Sequence, residues 1–158
     1  MRIKKYAGMV MVLLVMALAA SVATRADEPH SGTWKMNPAK SKFSPGPANK
    51  DMTLKIDEDE KSIKVVGDGT DGEGKSIHVE YNAKLDGTDT PATVPFGDTI
   101  ALKRINAHTI QSIAKKDGKV VMTVTSTVSA DGKTRTSKFK GKDAKGNAVN
   151  NTVVYDKQ

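Results

Sequence analysis

The feature that most constrains the fold is a two-residue alternation of apolar and polar side chains, which recurs along the chain in short runs. The clearest run spans residues 76–85, where apolar side chains occupy every second position from Ile77 to Leu85. Successive side chains of a β-strand point to opposite faces, so the run predicts a strand with one buried face and one solvated face. No segment after Asp27 has the apolar spacing of a helix. The alternation therefore predicts an all-β fold.

Turn residues separate these runs and determine how the predicted strands connect. Asp-Gly pairs, which are typical of hairpins, occur at 86–87, 117–118 and 131–132, and we expect about nine strands of ordinary length. The segments Pro38–Asn49 and Thr88–Gly97 contain prolines and are predicted as the two long loops. Strands joined by tight turns must be antiparallel neighbours. The sequence therefore predicts an up-and-down meander, closed into a barrel of about eight to ten strands to hide its edges. A two-sheet sandwich is the alternative.

The first 26 residues have the composition of a secretory signal peptide. They begin with three basic side chains, at Arg2, Lys4 and Lys5. An almost wholly apolar stretch follows, Ala7–Ala20, which is shorter than the roughly 20 residues of a spanning helix. We expect cleavage before Asp27, or alternatively after Ala23, and an uncleaved anchor is the other alternative. This predicts a single exported domain, residues 27–158, located in the periplasm or outside the cell.

Composition excludes several classes of function. The chain has no cysteine, which removes disulfides, thiolate metal sites and a cysteine nucleophile, and suits a bacterial envelope. Four of its 25 Lys and Arg residues lie in the predicted signal peptide, so the remainder, with 18 Asp and Glu, has a charge of about +3. No segment combines basic blocks with the aromatic residues that stack on bases, so we expect no nucleic-acid partner.

The polar residues also give no sign of catalysis or of metal binding. The acidic run Asp68–Gly74 lacks the ligand spacing of a calcium loop and is predicted to be a solvated turn. The three histidines, His30, His78 and His108, are far apart in sequence, unlike zinc ligands. No serine has the neighbourhood of an activated nucleophile. We therefore predict no enzyme activity, no cofactor and no metal.

A resemblance to a known superfamily comes from the two ends of the domain. Gly32, Thr33 and Trp34 stand at the start of the first predicted strand, and Trp34 is the only tryptophan. This pattern resembles the lipocalin and fatty-acid-binding-protein (calycin) superfamily, whose opening strand carries Gly-x-Trp. The last strand, which includes Tyr155, is also similar to the C-terminal strand of the fatty-acid-binding branch. The resemblance implies a closed barrel that holds a small apolar molecule.

The resemblance also implies roles for particular residues. Trp34 is expected to close one end of the barrel beneath a cationic side chain. The domain has two arginines that could supply it, Arg104 and Arg135, and Arg135 is the better candidate because it lies on a late strand, as the arginine of the family does. In the fatty-acid-binding branch, an arginine two residues before the C-terminal tyrosine helps to hold the ligand carboxylate, and Val153 stands there in this chain. We therefore expect a neutral or apolar ligand rather than a free fatty acid.

Five residues are candidate ligand contacts. Arg104 has the parity of Ile100 and Leu102, so we expect it to project inwards, where an unpaired charge is costly. It is a candidate for an acidic head group, with a strand end in water or contact with Trp34 as the alternatives. Phenol hydroxyls and adaptable apolar side chains also suit a cavity wall, and the remaining candidates are Tyr81, Met122, Val124 and Tyr155. Core packing is the alternative for these four.

The sequence as a whole predicts an exported protein that binds a small hydrophobic ligand inside a β-barrel. No stable membrane insertion is expected after the signal peptide is removed. The alternative is a barrel or sandwich without a cavity, which acts through its surface on an envelope protein or a polysaccharide.

Overall fold

The computed structural model describes residues 28–158, which form a closed antiparallel barrel of ten strands. The strands are β1 (Gly32–Met36), β2 (Asp51–Glu58), β3 (Ser62–Thr70), β4 (Ser76–Lys84), β5 (Asp86–Val94), β6 (Gly97–Asn106), β7 (Thr109–Lys116), β8 (Lys119–Val128), β9 (Thr134–Lys142) and β10 (Ala148–Lys157). Each strand pairs with its neighbours in the chain, and β1 also pairs with β10. The predicted all-β meander closed into a barrel is therefore confirmed.

Other predictions concern parts of the chain that this structure does not describe. The predicted signal peptide, residues 1–26, lies outside the described residues, so the boundary of the domain at Asp27 stays a prediction. Among residues 28–158, no helix has the length and apolar character needed to cross a membrane.

The short strand β1 and the segment after it complete the wall of the barrel. Strand β1 pairs with β2 on one side and with β10 on the other. Beyond Met36 the chain continues along β10: the Asn37 N–H donates to the Val154 carbonyl at 2.8 Å, and Lys42 and Thr152 exchange two backbone hydrogen bonds of 2.7 and 2.8 Å. The segment predicted as a loop thus covers the edge of β10.

Alternation within the strands separates a buried interior from a solvated outer surface. In β2, Met52, Leu54 and Ile56 are buried, and the intervening residues are exposed or half-buried. Gly67 of the next strand lies directly opposite Leu54, and a Cβ atom there would be 2.5 Å from Leu54 Cδ2. Glycine at this position therefore leaves the space that the leucine side chain occupies inside the barrel.

Two boundaries differ from the sequence prediction. The segment predicted as the loop Thr88–Gly97 mostly belongs to β5, a strand that the prolines concealed. Proline lacks a backbone N–H and fits where pairing is interrupted. Strand β5 pairs with β4 at a single position, Glu80 with Thr93, and its register with β6 shifts on both sides of the paired residues Asp89–Pro91.

The acidic run predicted as a turn begins inside a strand. Strand β3 extends to Thr70, and the turn itself spans residues 71–75. The Asp71 carboxylate accepts hydrogen bonds from the backbone N–H groups of Glu73 and Lys75 at 2.9 and 2.8 Å, and these bonds lower its pKa. This carboxylate therefore stabilises the hairpin itself.

Trp34 closes one end of the barrel, and its surroundings explain the Gly-x-Trp pattern. The indole is fully buried, and its Nε1–H donates to the His30 carbonyl at 2.8 Å. The Lys157 ammonium lies 5.1 Å from the ring centroid. Gly32 has a φ of +127°, and a Cβ there would lie 2.7 Å from Lys157 Cε, so glycine leaves room for the lysine.

The cation over the Trp34 ring is Lys157 and not Arg135, which the resemblance implies for that place. Lys157 is the residue directly opposite Trp34 in the register of β1 and β10, and this position brings its side chain over the indole. Arg135 is opposite Tyr155, farther inside the barrel, and its guanidinium carbon lies 6.0 Å from the Tyr155 ring centroid.

Replacing Trp34 with alanine should destabilise the protein by about 3–5 kcal/mol, because a large buried side chain and its hydrogen bond are lost. Urea titrations followed by circular dichroism measure the change. Val120→Ala is the control, because Val120 is 60% exposed and its truncation should change the stability by less than about 0.5 kcal/mol. A loss below about 1 kcal/mol for Trp34→Ala would show that the indole does not hold the barrel end together.

Candidate functional site

The barrel encloses a cavity of about 370 Å³ between the Trp34 end and the opposite, open end. Ligand pockets are typically about 300–1,000 Å³, so the volume is at the lower end of that range. The cavity has a polar base, apolar walls and a rim formed by the connections at the open end. Its base residues are Tyr81, Ser112, Ser126, Arg135, Ser137 and Tyr155.

The base of the cavity contains a buried cation. Arg135 is 7% exposed, and its Nη1 donates to the Ser137 hydroxyl at 3.2 Å, which in turn lies 2.8 Å from the Ser126 hydroxyl. Within residues 28–158, no carboxylate forms an ion pair with Arg135. Burial lowers the pKa of this guanidinium, whereas the nearby Tyr81, Tyr155 and Glu58 oppose the shift. An arginine nevertheless stays protonated in proteins, so the base carries a positive charge.

Two phenols flank the guanidinium and stay neutral. Burial raises the pKa of Tyr155 to about 12, and Arg135 acts against this shift. The pKa of Tyr81 is raised for the same reason. In the part of the chain that the structure describes, neither hydroxyl has a hydrogen-bond partner among the protein groups. Both phenols therefore have a donor and an acceptor available to a molecule in the cavity.

The walls and the rim are apolar. Apolar side chains from five strands form the walls: Leu54, Val65, Val79, Met122, Val124 and Val153. All three phenylalanines of the sequence, Phe43, Phe96 and Phe139, line the outer half of the cavity. The rings of Phe96 and Phe139 meet edge to face with centroids 6.2 Å apart. Phe43 belongs to the segment that pairs with β10, which explains why that segment matters for the cavity.

A second polar network closes the barrel beneath the cavity. The fully buried Glu58 carboxylate lies 2.7 Å from Arg104 Nη1 and accepts the His30 N–H at 3.0 Å. Arg104 Nη2 also donates to the Asp59 carbonyl at 2.9 Å. Burial raises the pKa of Glu58, while the His30 N–H and Arg104 oppose the shift. This network fastens the chain at His30 to the end of the barrel.

His30 is buried in its neutral form between the two networks. Its Nδ1 lies 3.5 Å from Arg135 Nε, and its side chain has no exposed surface. Burial, together with the positive charges of Arg135 and Arg104, lowers the pKa of His30 to about 3. Because the imidazole is neutral, it accepts from the guanidinium and adds no second charge to the base.

The structure brings together most of the residues that the sequence singled out. Tyr81, Met122, Val124 and Tyr155 all line the cavity. Arg104 instead lies at the closed end, outside the lining, where it pairs with Glu58. Arg104 alternates in step with the buried Ile100 and Leu102 on β6, but its ion pair with Glu58 holds the guanidinium at the closed end of the barrel. Ligand contact at these positions stays a prediction.

Sequence reasoning missed the polar base. Arg135 was placed beside Trp34, and the buried pair Ser126 and Ser137 was not associated with it. A signal was present, because Arg135 and Ser137 share the parity of Phe139 on β9 and therefore face the interior. Sequence reasoning also missed the buried Glu58, because it lies in an acidic run, residues 57–60, of the kind that is typical of a solvated turn.

Fold and site together define a closed ten-stranded antiparallel barrel with an internal cavity, an architecture compatible with a calycin-like fold. No protein-family model matches the chain, and a search of curated proteins gives no match. Across residues 28–158, no group of three or more His, Asp or Glu side chains has an arrangement that could hold a metal ion.

Acidification should destabilise the protein through His30. Its pKa is about 3 in the folded chain and 6.5 normally, so the unfolded state takes up a proton first. The free energy of unfolding should therefore fall by about 1.4 kcal/mol per pH unit from about pH 6 to about pH 4. Urea titrations at several pH values measure the slope.

The matched comparison is between His30→Gln and His78→Gln. Glutamine at position 30 should remove this part of the slope. His78 is exposed, and its pKa is raised by Asp68 and Glu80, so its replacement should leave the acid slope due to His30 in place. An unchanged slope in His30→Gln would show that the buried imidazole is not the group that titrates.

Proposed function

We propose that the protein binds one small amphipathic molecule in its barrel, with an anionic head group at Arg135 and an apolar body along the walls. The observation that carries the proposal is a cavity of about 370 Å³ whose base holds a buried cation without a carboxylate partner among the described residues. A buried charge is costly unless it is paired. An anionic head group supplies the missing partner.

The groups around Arg135 suit a carboxylate or a similar head group. The guanidinium donates in a planar fork that matches two carboxylate oxygens. The hydroxyls of Tyr81 and Tyr155 are available as further donors in the same cavity base. The neighbouring histidine is neutral, so the base carries one net positive charge and fits a single negative charge.

This proposal differs from the neutral ligand that the sequence favours. That expectation follows from Val153, which stands where the resemblance implies a carboxylate-binding arginine. Arg135 is on the neighbouring strand β9, and its partner in the register is Tyr155 rather than Val153. A cation therefore reaches the cavity from a different position, and the reason for excluding an anion no longer applies.

The walls supply most of the affinity for the body of such a molecule. Each Å² of apolar ligand surface removed from water contributes roughly 25 cal/mol, while a few polar contacts determine the orientation. The sequence left open an alternative, a barrel without a cavity that acts only through its surface. The cavity in the barrel counts against that alternative. We therefore favour binding over a purely structural role.

Export and the absence of catalysis belong to the same proposal. The N-terminal segment 1–26 has the composition of a signal peptide, which supports a role in the periplasm or outside the cell. Among the described residues, the serines at the bottom of the cavity have no neighbouring general base that would activate them, since His30 contacts Arg135 instead. These features support a carrier or a binding protein for a lipid-like anion.

Replacing Arg135 with methionine should weaken the binding of decanoate by at least about 10-fold, because a charge-assisted contact is lost. The binding of decanol, which has the same chain and no charge, should change by less than about threefold. Methionine is unbranched and fills part of the space of the arginine side chain without its charge. Circular dichroism checks that the variant is folded. Isothermal titration calorimetry measures both affinities.

Two results would contradict the head-group assignment. Equal weakening for decanoate and decanol would show that Arg135 supports the shape of the cavity rather than the charge of the ligand. Unchanged binding of decanoate would show that the carboxylate lies elsewhere.

Replacing Val124 with tryptophan should abolish binding of both probes, because Val124 lines the wall and the indole fills the cavity. Thr125→Trp is the control: residue 125 has the opposite parity on β8 and faces outwards. Native mass spectrometry of protein purified without detergent should show a bound mass in the control and none in Val124→Trp. Retention of decanoate by Val124→Trp would place the binding site outside the barrel.

A further inference from the structure

One outer face of the barrel concentrates lysines without acidic partners. Strand β9 directs Lys138, Lys140 and Lys142 outwards, and all three are exposed. Lys42 lies in the same row as Lys138, because both are opposite Thr152 of β10. We call these four residues the lysine face. Residues two apart on a strand are about 6.8 Å apart, so the face extends about 14 Å along β9, to the open end of the barrel.

The surroundings of the lysine face contain few carboxylates. Strands β8 and β9 have no acidic residue, and β10 has one, Asp156. Asp156 belongs to the opposite end of the strand, where it pairs with Lys40 at 3.1 Å. The Asp143 carboxylate, in the turn after β9, accepts hydrogen bonds from its own turn residues, Lys145 and Asn147. Among the described residues, none of the four lysines of the face forms an ion pair.

The opposite wall of the barrel has a different charge pattern. Strands β2, β3 and β4 also carry exposed lysines, at 55, 64 and 84, but acidic residues are interspersed with them: Asp51, Asp57, Asp68 and Glu80. Positive charge is therefore unevenly distributed over the described residues, and the lysine face combines lysines with few neighbouring carboxylates. Such a patch produces a local attraction for polyanionic surfaces.

Apolar groups at the open end distinguish between kinds of anionic partner. Val120, next to Lys119 at the start of β8, is 60% exposed. Pro45, Pro47 and Pro95 are also exposed in the connections at this end, and the mouth of the apolar cavity opens between them. A soluble polyanion offers nothing apolar to these groups, whereas a bilayer surface offers anionic head groups and an apolar layer beneath them.

We propose that the lysine face binds the surface of an anionic lipid bilayer and turns the open end of the barrel towards it. This function goes beyond ligand binding in the cavity and does not depend on it. The contact is peripheral: the lysines attract the charged surface, and Val120 and the exposed prolines enter the head-group region. A hydrophobic ligand would then pass between bilayer and cavity without crossing much water.

The test is co-sedimentation of the purified protein with vesicles. Binding should occur with an equal mixture of phosphatidylglycerol and phosphatidylcholine and should be lost with phosphatidylcholine alone. It should also weaken strongly at about 0.5 M salt, where screening shortens the range of the attraction. The triple variant Lys138→Glu, Lys140→Glu, Lys142→Glu should weaken partitioning to the anionic vesicles by at least about 100-fold.

The matched control is the triple variant Lys55→Glu, Lys64→Glu, Lys84→Glu. It changes the net charge by the same amount on the opposite wall, so its partitioning should remain within about 10-fold of the original protein if the position of the charge matters. Equal loss in the two variants would overturn the lysine face as the binding surface. Absence of binding to anionic vesicles by the unmodified protein would overturn the bilayer proposal itself.

Two further measurements distinguish bilayer binding from binding of a soluble polyanion and from ligand binding in the cavity. Val120→Ser should weaken vesicle binding and leave binding to heparin, a soluble polyanion, unchanged. Heparin binding that is lost in the β9 variant, together with vesicle binding that is insensitive to Val120→Ser, would identify a soluble polyanion as the partner. The β9 variant should bind decanoate as the unmodified protein does, so a failure of vesicle binding is distinguishable from a failure of ligand binding.

Discussion

Closure of the barrel depends on a single short strand. β1 has only five residues, yet it must pair with both β2 and β10. The backbone of the next eight residues continues the contact with β10, so the wall is complete although the regular strand is short. A closed sheet leaves no edge that could pair with another chain. Everything in the interior, including the cavity, depends on this closure.

Ten strands enclose more volume than the inward-facing side chains fill. An eight-stranded barrel is just wide enough for side chains to fill its interior, and the diameter grows with the number of strands. At the Trp34 end, large side chains and the Glu58–Arg104 network occupy the extra space. From the cavity base to the open end, by contrast, Ser112, Ser126 and Ala114 are small, and Gly141 has no side chain at all. The cavity therefore follows from strand number together with small residues on β7, β8 and β9.

The sequence predicted the architecture well because its strongest signal is local. Alternation and Asp-Gly turns are contained in stretches of ten residues, and they determine the antiparallel order of the strands. Strand β5 was not predicted because prolines are normally excluded from strands. Its pairing with β4 and β6 is interrupted in several places, and the prolines fit there. The cavity base was hidden for a different reason. Whether Arg104 or Arg135 faces the cavity depends on contacts with residues that are distant in sequence, Glu58 for Arg104 and His30 for Arg135.

The two arginines show how one kind of side chain serves two purposes in the same barrel. Arg104 has a buried carboxylate, a backbone carbonyl and partial exposure to water, so its charge is compensated within the protein. Arg135 has a serine hydroxyl, a neutral imidazole and an aromatic face, none of which carries a negative charge. Placing such a cation inside a barrel costs stability, and a filled apolar interior would be the more stable solution. The uncompensated cation beside an open cavity therefore supports the proposed anionic ligand, and the neutral state of His30 matches a ligand with a single negative charge.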